Sequence, residues 1–179
     1  MSAAPKVSFS HLGLHVRDIE KMTDFYTRTL GFVENDRGAL GTTQLVFLSR
    51  DPHEHHQIAL VSGRDGDAHV VHHIAFRVES LADLRAIKER LEAVGSRTMP
   101  GDHGNAWTVY ASDPEGNTLE FFLDTPWYVK QPQMQPIDLS LSDEEIARRT
   151  LARIEKDPSF RPIGEWSAEL AHKLGMEGA

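Results

Sequence analysis

Apolar and polar residues alternate along His11-Leu12-Gly13-Leu14-His15-Val16-Arg17-Asp18-Ile19, and again along His73-Ile74-Ala75-Phe76-Arg77-Val78-Glu79-Ser80-Leu81. Each stretch reads as a half-buried strand that starts on a histidine and ends at a helix N-cap, Asp18 or Ser80. The period then changes to that of a helix. The first helix is predicted over about 19–30, with Phe25 and Leu30 among its apolar positions and Gly31 as its stop. The second is predicted over about 81–94, with Leu84, Ile87, Leu91 and Val94 at helical spacing and Gly95 as its stop. Three strands follow each helix. They fall near 32–34, 43–48 and 56–61 in the first half, and near 97–99, 107–112 and 118–123 in the second.

The chain thus carries two βαβββ modules. Neither buries its sheet face alone, so the fold expected is α+β, with the modules forming a curved mixed sheet around a cleft. This paired βαβββ domain would occupy residues 1–124, and an arm and helical tail residues 125–179. The stretch 125–136 is rich in Pro and Gln and reads as extended. Ser142 to Glu145 is a capping box for a helix over about 143–156, and a second helix is predicted near 167–174. The tail reads as a pocket cover, a dimer contact, or a helical pair packed on the sheet. The apolar stripe of Ile146, Leu151 and Ile154 favours the last.

Composition narrows the chemistry. The 179 residues include no cysteine, so thiolate metal sites, disulfides and a cysteine nucleophile are excluded. The net charge of −8 argues against nucleic acid or an anionic membrane as partner. No apolar run is long enough to span a bilayer, and Met1 to Ser10 lacks the apolar core of a signal peptide. These features predict a cytoplasmic protein.

Ten histidines remain as donors for an ion held by imidazole and carboxylate. His11 and His73 occupy matched strand positions beside small neighbours, Gly13 and Ala75. Glu120 lies on the last strand of the second half among Leu119, Phe121, Phe122 and Leu123, where an unpaired carboxylate is costly. Two histidines and one carboxylate on adjacent strands would cap one face of an ion and leave the other open, the facial arrangement of non-heme Fe(II) oxygenases. A hairpin through Tyr110, Asp113-Pro114-Glu115-Gly116 and Glu120 would aim Tyr110 and Glu120 at one pocket. A tyrosine bonded across the hairpin for structure alone is the competing reading. His15 lies too far along its strand to share the ion, and His53, His55, His69 and His72 read as loop or structural residues. Trp107, Phe122, Trp127 and Tyr128 would supply either aromatic walls or core.

The run Gly101-Asp102-His103, Val109-Tyr110, Asp113-Pro114-Glu115-Gly116, Glu120 resembles the hairpin pattern of the type I extradiol ring-cleaving dioxygenases, within the vicinal oxygen chelate (glyoxalase/bleomycin resistance/dioxygenase) superfamily. The resemblance covers about residues 7–124. It implies that His11, His73 and Glu120 bind Fe(II), with Mn(II) as the other possible metal. It also implies that His103 and Tyr110 line the substrate and oxygen positions, and that His56 is the acid–base histidine, with His55 as the alternative. The chain would be a one-domain member acting in aromatic hydrocarbon catabolism on a hydrophobic, 2,3-dihydroxybiphenyl-like catechol and O2, and a homo-oligomer. The rival reading is a glyoxalase-like lyase or epimerase without O2, its site closed by a fourth ligand at His56 or Gln57.

Overall fold

The computed structural model describes residues 11–51, 56–66, 71, 73–131 and 133–173. The chain divides into two compact units, residues 1–70 with 113–116, and residues 71–112 with 117–179.

The first unit runs β1 (Leu12–Val16), α1 (Ile19–Asp24), β2 (Val33–Leu40), β3 (Thr43–Ser49) and β4 (Ile58–Ser62). Its sheet has the order β1-β4-β3-β2. β1 pairs parallel with β4, Leu14 opposite Leu60, and the other pairs are antiparallel. Leu14 and Val16 point into a core with Met22, Tyr26, Val46, Leu48 and Leu60, whereas His11, Gly13 and His15 take the exposed face. Asp18 starts α1 as predicted, its carboxylate accepting from Lys21 N at 2.9 Å. The helix then widens into a π turn, Phe25–Thr29. Here Thr23 and Thr27 donate their hydroxyls back to the carbonyls of Ile19 and Thr23, which loosens the helical ladder. β2 is eight residues long, not the three predicted. Its polar run Glu34-Asn35-Asp36-Arg37 hides an edge strand, because charge on an edge carries no apolar alternation.

The second unit repeats the plan as β5 (Ile74–Arg77), α2 (Leu81–Ala93), β6 (Met99–Asp102), β7 (Ala106–Ser112) and β8 (Thr118–Asp124). Again the first and last strands are parallel, Ala75 opposite Glu120, and β6-β7-β8 is an antiparallel meander. Ser80 caps α2 through Asp83 N at 3.1 Å, and Leu81, Leu84 and Leu91 are its buried stripe. Each module therefore has the predicted order, and each has its own hydrogen-bonded sheet.

The segment after β8 contributes β9 (Trp127–Tyr128), β10 (Gln135–Pro136), α3 (Asp143–Ile154), β11 (Arg161–Pro162) and α4 (Ile163–Lys173). The predicted arm is thus not simply extended. β10 pairs with the outer edge of β6, Gln135 opposite Asp102, and β9 pairs with β11. α3 buries Ile146, Thr150 and Ile154. α4 begins four residues before the predicted start near 167. Thr150 bridges this segment to the hairpin: it accepts from Trp107 Nε1 at 2.7 Å and donates to Asp102 at 2.8 Å. Among the described residues no helix is long and apolar enough to cross a membrane.

Candidate metal centre

Strand alternation decides what β7 and β8 present. On β8, Leu119 and Phe121 are buried in the core, and Thr118, Glu120 and Phe122 take the opposite face. Glu120 therefore faces the same way as Thr118 and Phe122, as strand alternation predicts, and away from Leu119 and Phe121. It stands on the other face with its side chain 13 % exposed. Tyr110 lies directly across the β7–β8 pair from Glu120. Thr108, fully buried and two residues earlier on β7, donates its hydroxyl to Glu120 Oε1 at 3.0 Å. The same alternation turns Trp107 away from Tyr110, so Trp107 is a tie to α3 and not a wall of this face. Phe122 remains on the face, with the Arg77 guanidinium 4.8 Å from its ring centre. Tyr128 stacks on Trp166 at 5.3 Å.

His73 immediately precedes β5, and its Nε2 is 3.4 Å from Glu120 Oε2. Two donors each about 2.1 Å from one divalent ion, at roughly 90–110° to each other, stand about 3.0–3.4 Å apart. Nitrogen and oxygen donors at this spacing fit a first-row divalent metal. His103 Nε2 approaches the other carboxylate oxygen at 3.8 Å and is 3.1 Å from Tyr110 Oη. Burial first, then the hydrogen bond to Glu120 and its charge, hold the Tyr110 phenol well above the ordinary tyrosine range. Tyr110 is therefore a hydrogen-bond donor at any physiological pH.

In the first unit, His11 immediately precedes β1 and is exposed. Its ring lies 4.2 Å from that of His56, centre to centre, and His56 in turn stands edge-on to Phe47 at 4.9 Å. The main chain brings them together: Leu12 N donates to Gln57 O at 3.0 Å, beside the start of β4. The Gln57 amide oxygen accepts from Arg50 N at 3.0 Å. His55 lies outside the described residues.

The predicted site residues thus gather in two groups, His11 with His56 in the first unit, and His73, His103, Tyr110 and Glu120 in the second. Among the described residues no three histidine or acidic side chains stand close enough to hold an ion by themselves. Thr108 belongs to the second group, although nothing in the motif names it. Its signal was its place two residues before Tyr110 on the same strand.

The turn Asp113-Pro114-Glu115-Gly116 has a different role. Glu115 is 5 % exposed, and its Oε1 accepts from the main-chain N–H of Arg17 at 2.6 Å and of Asp18 at 2.7 Å. Its Oε2 is 3.3 Å from Arg64 Nη1. Asp113 accepts from Glu115 N at 2.9 Å and closes the turn. These motif carboxylates hold the fold and lie outside the group around Glu120.

The chain is similar to known proteins in sequence and in fold. The sequence pattern of the Glyoxalase/Bleomycin resistance protein/Dioxygenase superfamily matches residues 8–121. Biphenyl-2,3-diol 1,2-dioxygenase 2 of Rhodococcus globerulus is 32 % identical over 133 residues, 69 % of this chain and 65 % of that protein. Catechol-2,3-dioxygenase of Bacillus subtilis (strain 168) is 28 % identical over 127 residues, 65 % of this chain and 42 % of that protein. The chain therefore spans less than two thirds of the length of either curated relative. The crystal structure of a glyoxylase/bleomycin resistance protein/dioxygenase domain from Frankia sp. EAN1pec matches with a TM-score of 0.60 at 27 % identity, covering 68 % of this chain and 100 % of that one.

Proposed function

The chain belongs to the Glyoxalase/Bleomycin resistance protein/Dioxygenase superfamily, and from that premise we propose that it is an extradiol dioxygenase, opening a catechol-type ring with both atoms of O2. The observation that carries this reading is the grouping on one face of the second unit. A carboxylate and an imidazole stand at the spacing of two donors to one ion, beside a histidine–tyrosine pair suited to substrate oxygens. The identities to two ring-cleaving dioxygenases support the same class.

His11, His73 and Glu120 would hold the metal, Fe(II) in this reading, with Mn(II) the alternative. When bound, it supplies a Lewis acid for the two vicinal hydroxyls and a meeting place for substrate and O2. The chain's own groups do the rest. His56 takes the proton of one catechol hydroxyl on an imidazole nitrogen and later returns it, the general acid–base role most often filled by histidine. Tyr110 donates its phenol hydrogen to a substrate oxygen, and His103 Nε2 exchanges a proton with the same region. Phe122 offers an apolar surface to the ring, in keeping with a hydrophobic, 2,3-dihydroxybiphenyl-like catechol. The overall reaction adds one O2 to one catechol and needs no external reductant.

A lyase or epimerase of the same superfamily would need a further ligand from the first unit. The Gln57 amide oxygen accepts from Arg50 N, so ligation through that atom would compete with this bond. The test is anaerobic loading with Fe(II), followed by O2 uptake and yellow ring-opened product from mono- and bicyclic catechols. Stoichiometric iron with no O2 uptake on any catechol overturns the proposal. His56→Ala should keep its iron and lose most turnover; full turnover with unchanged iron removes His56 from the mechanism.

A further inference from the structure

The segment beyond the matched residues 8–121 reaches the ring of His103 through the main-chain oxygen of Gln133, which lies within hydrogen-bond distance of His103 Nδ1. We propose that the C-terminal extension, through Arg153 and the Gln133 carbonyl, positions His103 by locking its ring as the Nδ1–H tautomer, so that Nε2 alone faces Tyr110 and Glu120.

A carbonyl oxygen only accepts, so Nδ1 must carry the hydrogen. In the neutral ring Nε2 is then the acceptor, and Tyr110 Oη is 3.1 Å from it. The carbonyl is itself held in place. Arg153 Nη1 donates to Gln133 Oε1 at 2.9 Å, and Gln133 N donates to Gln131 Oε1 at 3.0 Å. The hairpin side is held by the same arginine. Arg153 Nη2 is 2.7 Å from Asp102 Oδ1, and Asp102 also accepts from Gly104 N and from Thr150 Oγ1. The main chain of His103 is fixed as well: its N donates to Ala106 O at 2.9 Å, and its O accepts from Gln131 Nε2 at 2.8 Å. Arg153 therefore grips the residue before His103 and the residue that bonds its ring, and sets their separation. Arg149, one helical turn earlier, pairs with Glu145 at 2.6 Å and makes neither of these contacts.

The catalytic consequence rests on the dioxygenase reading, whereas the tautomer does not. Nitrogen-15 NMR of the metal-free, histidine-labelled protein above the imidazole titration range reads the tautomer, and loss of one signal set in His103→Gln identifies the residue. The native ring should show a protonated Nδ1 and a bare Nε2. Loss of one hydrogen bond's net stabilisation should move the tautomer ratio roughly five-fold towards Nε2–H in Arg153→Met. Arg153→Lys should recover part of it, and Arg149→Met should leave it unchanged. In the iron-loaded enzyme, Arg153→Met should lower kcat about ten-fold, with KM and iron content within about two-fold of native. If Arg153→Met does not fold, Gln133→Ala removes the amide that Arg153 holds and should shift the ratio in the same direction. A folded Arg153→Met or Gln133→Ala with the native ratio overturns the proposal, as does an equal shift in Arg149→Met. If iron-loaded native protein consumes no O2, the dioxygenase reading fails, and the tautomer ratios still decide this one.

Discussion

Thr108 Oγ1 stands 3.0 Å from Glu120 Oε1, and the same hydroxyl is 3.1 Å from the main-chain oxygen of Phe121. The contact ties one carboxylate oxygen and leaves Oε2 turned to His73. Thr108→Val keeps the shape and removes the donor. Mn(II) affinity, measured anaerobically by titration calorimetry, should fall about ten-fold. The metal-free protein should lose only about 1 kcal/mol, because one hydrogen bond is removed. For the native protein, Mn(II) at 100 times its Kd should add about 2.7 kcal/mol of stability in a thermal melt. His73→Ala should abolish that increment.

The frame of this site was legible because its signals are local. Asp18 and Ser80 cap their helices, and Gly31 and Gly95 follow them. The paired histidines fall where the repeat puts them, each one residue before its strand. Glu120 and Tyr110 could be paired across a hairpin from turn chemistry and a period of two. The same period, carried three residues back from Tyr110, would have turned Trp107 to the other face. What stayed hidden is non-local. Gln133 and Arg153 meet the hairpin across 30 and 51 residues, and no local pattern encodes a carbonyl on an imidazole. The burial of Glu115 was hidden for another reason: a glutamate in a Pro/Gly turn reads as solvated, and only the fold supplies the two N–H groups it accepts from.

That burial gives a second prediction. Glu115→Ala leaves the N–H groups of Arg17 and Asp18 without this acceptor and removes a carboxylate from the side of Arg64, whose side chain is 7 % exposed. Stability should fall by about 3 kcal/mol in urea unfolding. Metal content per folded molecule should be unchanged, since Glu115 is no ligand. A variant of native stability that fails to bind metal would move this residue from the scaffold to the site.

Gly104 adopts φ +83°, and a Cβ there would lie 2.6 Å from Val129 Cγ1 and 3.1 Å from Ile154 Cγ2. Both neighbours belong to the C-terminal segment, so glycine here allows that segment to approach the hairpin next to His103. Gly104→Ala combines left-handed strain with a steric clash and should cost roughly 3 kcal/mol, lowering Tm by about 10 °C. Differential scanning calorimetry checks it, and an unchanged Tm would mean that Val129 and Ile154 yield freely.

A pH effect follows from α3. Arg148 first, and Arg149 after it, hold the Glu145 carboxyl down to about 2 from its ordinary 4.5. The folded value lies below the unfolded one, so the carboxylate's contribution is fully present above about pH 4.5 and is lost as pH falls towards about 2. Glu145→Gln should therefore melt below the native protein at neutral pH, and the gap should narrow steadily as melts are repeated in more acidic buffer. Added salt should narrow it too, because the group is at the surface and its pairs are screened. A gap that stays constant from neutral to acid would assign the effect to helix packing and not to the charge on Glu145.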